Sequence, residues 1–203
     1  MNRPAVIVLA TGNPGKAREF ARLLGEAVVV RPLPPSVSLP EETGRTFAEN
    51  ARLKATWAHR ALGGEQTVLA DDSGLEVAAL DGRPGLLSAR FAGPVATDDQ
   101  NVAKLLGELQ GNPDRRARFV CRQCLVLRNG SLIEEVGVTN GIITESPRGV
   151  DGFGYDPVFV PEGWTCTLAE APPEQKDQVS HRGAAARALL HELQLRGVLD
   201  SGL

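Results

Sequence analysis

Ala5-Val6-Ile7-Val8-Leu9-Ala10, then Thr11-Gly12-Asn13-Pro14-Gly15-Lys16, then Ala17-Arg18-Glu19-Phe20-Ala21-Arg22-Leu23-Leu24-Gly25: the fold of this chain turns on these residues. The first block is short, apolar and rich in β-branched residues, the pattern of a buried strand. Asn13 is a favoured N-cap and Pro14 suits the first helical position, so a helix opens there. Phe20, Leu23 and Leu24 then share one face, and Gly25 ends the helix. A glycine turn feeding a helix N-terminus gathers backbone N–H groups and the positive end of the macrodipole, which attract anions. Lys16 in that first turn opposes the dipole, unless a phosphate sits there with it.

The turn is not a Walker A loop, because Gly12 and Gly15 are separated by two residues and Ala17 follows the lysine. A capped helix with one solvated lysine and a phosphate site both fit these residues. Lysine usage points to the phosphate site. Only four of the 22 basic residues, Lys16, Lys54, Lys104 and Lys176, are lysines. A compact ammonium and a planar guanidinium are not interchangeable at a tight site.

Composition narrows the class. A chain of 203 residues with 42% hydrophobic content can bury a sizeable core and reads as one domain, with room for two lobes. A net charge of −3 gives no electrostatic footprint for a nucleic acid polymer. No apolar run approaches membrane length, and the first strand lacks the flanks of a signal peptide. Three cysteines, an odd number, point to a reducing cytoplasm. Cys121 and Cys124 form a C-x-x-C within a strand-like run, where their spacing puts them on opposite faces, so zinc or disulfide chemistry is not expected.

Strands and helices alternate through the rest. Arg31 to Glu42 is proline-rich and irregular. Thr46-Phe47-Ala48-Glu49 is a capping box that opens a helix to about Leu62. Thr67 to Ala70 is a strand running into Asp71-Asp72-Ser73-Gly74, and Asp81 to Pro94 is a loop. Thr97 or Asp98 caps a helix with Val102, Leu105, Leu106 and Leu109 on one face. Strands 117–127 and 131–139 flank Asn129-Gly130, a strong hairpin signal. Tyr155 to Val160 reads as a strand, and Ser180 as the cap of a last helix. A hairpin among strand–helix units argues an α/β fold with a mixed sheet.

Three constellations carry chemistry. In Asp71-Asp72-Ser73-Gly74, adjacent side chains point opposite ways, so at most one carboxylate faces a given site, to hold Mg²⁺ or orient a water. Glu41, Glu42 and Glu49 are candidate partners, the last with a competing role as the capping-box acid. Gly152-Phe153-Gly154-Tyr155-Asp156-Pro157 sets an aromatic between glycines, suited to stacking on a base or to a turn with Phe153 in the core. Lys176 and Ser180-His181-Arg182-Gly183 cluster three donors near a helix N-terminus, which calls for an anion or an acceptor-rich group in answer.

Together with Pro84-Gly85 and Ser88-Ala89-Arg90-Phe91-Ala92-Gly93, these blocks resemble, in order and spacing along nearly the whole chain, the motif series of the inosine triphosphate pyrophosphatase family, the house-cleaning XTP/dITP diphosphatases. The resemblance implies a long, twisted mixed sheet with flanking helices, in two lobes with a central cleft. It implies a single nucleoside-triphosphate pyrophosphatase domain over 1–203, Mg²⁺ dependence and a homodimer. The implied reaction converts aberrant purine nucleoside triphosphates (ITP, dITP, XTP, dXTP) to the monophosphate and pyrophosphate. It further implies that Thr11, Gly12, Asn13, Pro14, Gly15 and Lys16 bind the triphosphate. Asp72 is then general base and metal ligand, Ser73 contacts substrate, and Glu41 is preferred over Glu42 as second metal ligand. Phe153, Gly154, Tyr155 and Asp156 line the base, and Lys176, His181 and Arg182 read it. Asp177, where many bacterial relatives have Asn, and Ala171, in place of a usual Leu, depart from the pattern.

The residues suit that chemistry. Lys16, the helix N-terminus and Mg²⁺ would neutralise the leaving pyrophosphate, and Asp72 would position and deprotonate water. Hypoxanthine and xanthine carry an acceptor oxygen at C6, which matches the donors Lys176, His181 and Arg182, whereas adenine carries a donor. The alternatives are a Maf-type nucleotide pyrophosphatase, which the Phe153–Asp156 and Ser180–Arg182 blocks disfavour, and a non-catalytic nucleotide-binding regulator, which Asp72 disfavours.

Overall fold

β1 (Ala5–Leu9) pairs in parallel with β2 (Val28–Pro32) and with β3 (Val68–Val77). The structure is a computed structural model that describes residues 5–25 and 28–201. α1 (Pro14–Leu23) connects β1 to β2, and α2 (Phe47–Ala61) connects β2 to β3. α3 (Asp98–Glu108) follows β3, then β4 (Arg116–Val126) and β5 (Leu132–Ile143). The chain closes with β6 (Phe159–Pro161), α4 (Pro173–Val179), α5 (His181–Leu195) and the short α6 (Val198–Ser201). One six-stranded sheet has the order β2-β1-β3-β4-β5-β6, with β5 and β6 antiparallel, so it is mixed and open as expected of this α/β chain.

The chain divides into two compact units. One comprises 1–72, 121–137 and 182–203; the other comprises 73–120 and 138–181. In the first unit the apolar run of β1 is buried on both faces. Ala5, Ile7 and Leu9 pack with Phe20 and Leu24 of the α1 end and with Ala186, Leu189 and Leu193 of α5. Val8 and Ala10 pack with Ala51, Ala55 and Ala58, the small residues that seat α2 against the sheet. Strand alternation explains why one short run serves two layers. Each fully buried Leu, Ile or Phe contributes about 1.5–3 kcal/mol. The second unit has its own core, in which Leu75, Val77, Leu105, Phe119 and Phe159 meet.

Local signals account for most boundaries. The Asn129-Gly130 turn forms, with Gly130 at φ +80° and its N–H on Leu127 O at 2.8 Å. Of the two candidate caps before α3, Thr97 is the one, in a complete capping box with Gln100. The strand expected over Tyr155 to Val160 shrinks to β6, because Asp156–Val158 forms a 3₁₀ turn. Pro157 has no N–H to give to a ladder. Ser180 lies between α4 and α5, where its own N–H bonds Lys176 O at 2.8 Å, so Lys176 belongs to a helix the sequence pattern did not reveal.

Candidate active site

The alternation that buries β3 also separates its two aspartates. Leu69 faces α1 and α5, and Asp71 continues that face; Ala70 faces α2, and Asp72 continues that one. Asp71 is 1% exposed and accepts a hydrogen bond from Lys16 Nζ at 2.8 Å, while Arg182 Nε lies 3.7 Å from the same oxygen. Arg182, itself 3% exposed in the first turn of α5, also donates to Glu19, one turn beyond Lys16 on α1. Two acids and two bases thus alternate through the interior as Glu19, Arg182, Asp71 and Lys16. Burial alone would raise the Asp71 pKa, but Lys16, Arg182 and Lys54 hold it well below the usual carboxylate range. Burial would likewise discharge Arg182, and Glu19 and Asp71 keep it charged.

Asp72 is set against the start of α2. Asn50 Nδ2 donates to its Oδ2 at 2.9 Å, and Lys54 Nζ lies 3.8 Å from its Oδ1. Lys54 also donates to Glu42 Oε1 at 2.5 Å, so one ammonium joins two carboxylates. Asn50 Oδ1 accepts from Gly44 N at 2.8 Å, which ties the 40–44 segment to the site. A Cβ on Gly44 would stand 2.5 Å from that oxygen, so the close approach requires glycine. Burial raises the Asp72 pKa, Lys54 lowers it and Glu42 raises it, and the balance is upward. That is the direction useful to a base. Glu41, expected to share the metal, is exposed, whereas Glu42 is the carboxylate joined to Asp72 through Lys54. Glu49 accepts from Arg45 N at 2.6 Å, one residue before the cap, rather than from Thr46 N as a capping box would have it.

Around the first turn, Asn13 Oδ1 accepts from Gly15 N at 2.8 Å and Lys16 N at 3.1 Å. The helix start is therefore capped from within, and Gly12, Asn13 and Pro14 stand exposed in front of it. What the turn presents to an anion is the macrodipole and the Lys16 ammonium, whose three protons are not all used by Asp71.

In the second unit Asp156 accepts from Phe153 N at 2.9 Å and from Lys176 Nζ at 2.5 Å. The Lys176 ammonium also lies 5.0 Å from the centre of the Phe153 ring. Phe153 is half-buried, whereas Tyr155 is a core residue, 4% exposed, whose hydroxyl donates to Ser88 O at 2.8 Å. Of the two rings expected to line the base, that of Tyr155 is packed among apolar neighbours, while that of Phe153 is the more accessible. His181 is buried and stacked on Phe119, with ring centres 4.6 Å apart. Ser73 is half-buried beside Asp72. The carboxylates that answer Lys176 and Arg182 belong to the protein itself. Arg182 departs most from expectation, since its guanidinium is enclosed with Glu19 and Asp71.

Asn50, Lys54, Glu19 and Asp71 were not assigned from sequence. A signal existed for two of them. On α2 the buried face reads Asn50, Ala51, Lys54, Ala55, Ala58, and polar residues one turn apart on a face of alanines require buried partners. Cys121 and Cys124 lie on opposite faces as expected, are free, and are both pushed up to about 12 by burial, so neither is a thiolate.

The sequence model of the Ham1 family matches residues 7–192. A dITP/XTP pyrophosphatase of an Exiguobacterium species is 47% identical over 193 residues, covering 92% of this chain and 96% of that relative. A dITP/XTP pyrophosphatase of Deinococcus deserti is 49% identical over 183 residues, covering 90% and 86%. Among solved structures, the Staphylococcus aureus Ham1 protein superposes with a TM-score of 0.83 at 41% identity, covering 94% of this chain and 99% of its own. A dITP/XTP pyrophosphatase from Mycobacterium abscessus gives 0.71 at 43% identity, covering 91% and 98%.

Proposed function

The chain belongs to the Ham1 family, and from that premise we propose that it hydrolyses aberrant purine nucleoside triphosphates, dITP, ITP and XTP, to the monophosphate and pyrophosphate, clearing them from the nucleotide pool. The observation that carries this reading is the divergence of Asp71 and Asp72 from one strand end. One carboxylate holds the lysine of an anion-attracting turn, and the other is a buried base beside Glu42.

The residues present suit a hard divalent cation. Glu42 and Asp72 offer only oxygen, and both already converge on one positive charge, the Lys54 ammonium. Mg²⁺ is an ion that takes a few carboxylates and completes its shell with phosphate and water. Asp72 and Glu42 would hold it, and it would supply charge neutralisation on the phosphates. Asp72, kept in place by Asn50, orients a water for attack at the α-phosphorus and takes its proton. Lys16 keeps one proton on Asp71 and turns the others to the leaving pyrophosphate. Thr11 to Gly15 shape the turn around that group, and Ser73 donates its hydroxyl to substrate.

Base recognition belongs to Phe153, which offers its ring, and to Lys176 and His181, whose protons match the 6-oxo oxygen of hypoxanthine and xanthine. Gly154 and Asp156 hold that loop. Arg182, enclosed between Glu19 and Asp71, is assigned instead to bracing the start of α5. We further infer one catalytic domain over 1–203, a homodimer, and a cytoplasmic location. Outward apolar residues on β5 (Val136, Val138, Ile142) support the dimer, and three free cysteines support a reducing compartment. The deciding experiment measures pyrophosphate release from dITP, XTP, ATP and GTP with and without Mg²⁺. The expected result is fast release from dITP and XTP that disappears without the ion. Tight binding of ITP with no release would identify a regulator and overturn the reading.

A further inference from the structure

Three separate restraints shape the loop at 152–156. Asp156 holds it from inside by accepting from Phe153 N at 2.9 Å. Tyr155 anchors it to the 84–93 segment through Ser88 O at 2.8 Å. Ser88 is itself fixed, its hydroxyl donating to Gly85 O at 2.6 Å and accepting from Leu75 N at 2.9 Å. The third restraint comes from α3: Asp98 Oδ2 accepts from Gly154 N at 2.7 Å.

Asp98 is delivered from a rigid support. Thr97 caps the helix, and Val102, Leu105 and Leu109 sink into the core of the second unit. Asn101 accepts from Ala92 N at 2.8 Å and donates to Ala89 O at 3.2 Å, and Lys104 donates to Phe91 O at 2.8 Å. The block Ser88-Ala89-Arg90-Phe91-Ala92-Gly93, which carries no chemistry of its own in the reading above, is thus the mount that joins α3 to the loop. Gly154 has φ +63°, a conformation closed to most residues. The bond from Asp98 falls on the peptide joining Phe153 to Gly154, so it fixes the backbone that aims the Phe153 ring.

We propose that Asp98 is a positioning residue for base recognition: its carboxylate, bonded to Gly154 N–H, sets the orientation in which Phe153 meets the purine. The inference rests on the reading that Phe153 faces the base. Asp98 itself touches no substrate atom in this scheme. It acts by having the ring already in place before the nucleotide arrives, which saves the ordering of a glycine-rich loop on binding.

Steady-state kinetics on ITP with the full chain tests this, using Asp98→Ala, Asp98→Asn, Asp99→Ala and Phe153→Ala. Asp98→Ala is expected to raise KM roughly two- to tenfold, the worth of one hydrogen bond, with kcat within about twofold of wild type. Asp98→Asn keeps an acceptor oxygen and restores KM to near the wild-type value. Asp99→Ala removes a charge from the same helical turn without reaching the loop, and leaves KM unchanged. Adding Asp98→Ala to Phe153→Ala costs nothing further, because the ring it serves is gone. A wild-type KM in Asp98→Ala, or an Asn variant as impaired as the Ala variant, overturns the assignment. If Phe153→Ala itself leaves KM for ITP unchanged, the base-facing reading of the loop fails and this proposal falls with it.

Discussion

Arg182→Met separates a brace from a base reader. The guanidinium is 3% exposed and lies between Glu19, 4% exposed, and Asp71, 1% exposed. Methionine keeps an unbranched apolar stem like that of arginine but takes away the guanidinium charge shared by two buried carboxylates. Removing one partner of a buried ion pair costs about 3–5 kcal/mol, because the remaining charge stays desolvated. For a chain of this size each kcal/mol moves Tm by about 2–4 °C, so the expected fall is roughly 6–20 °C. Neutralising the acid as well, in Glu19→Gln/Arg182→Met, removes most of the penalty and recovers at least half of the fall. Thermal and urea unfolding measure both variants, and an unchanged m-value shows that the denatured state is not the cause. Pyrophosphate release from ITP and ATP is followed in parallel. A residue whose main work is reading the 6-oxo group behaves otherwise: Tm holds, and the ITP-to-ATP ratio of kcat/KM contracts by roughly ten- to a hundredfold. A Tm within about 2 °C of wild type together with that contraction refutes the brace.

Three further outcomes follow from the same contacts. Asp72→Asn is expected to lower kcat on the order of 10²-fold or more, since an amide cannot take the proton of water. Burial raises the Asp72 pKa above its unfolded value, so the ionised group weakens the fold at neutral pH relative to acid; the amide removes that cost, and metal-free Asp72→Asn should melt no lower than wild type. Lys16→Ala should lower kcat/KM for ITP and ATP by similar factors, because every triphosphate shares the phosphates; a changed preference between them would reassign the residue. The Asp71 pKa is depressed by Lys16, Arg182 and Lys54, so its stabilisation is present above about pH 4 and is lost as pH falls further; urea titrations should show the wild-type advantage over Asp71→Asn shrinking below that pH.

Much of this molecule was legible in the order of its residues. The run Ala5 to Ala10, the Asn13 cap, the Asn129-Gly130 turn and the opposed faces of Cys121 and Cys124 follow from local chemistry acting over a few positions, and each formed as read. The same local rule foresaw that Asp71 and Asp72 diverge. It could not say which helix each would meet, since that depends on where α1, α2 and α5 lie across the sheet. Glu42 rather than Glu41 joins Asp72 because Lys54 reaches back from the second turn of α2. Tyr155 is buried and Phe153 is not, because Ser88, 67 residues away in sequence, takes the tyrosine hydroxyl. Arg182 looked like a free donor at a helix start and is instead enclosed with an acid 163 residues distant. Short-range order is decided by capping, turn geometry and strand alternation, which neighbouring residues carry among themselves. The partner of a buried charge is decided by packing, because a desolvated ion must be answered by whatever carboxylate or cation the completed fold brings within reach.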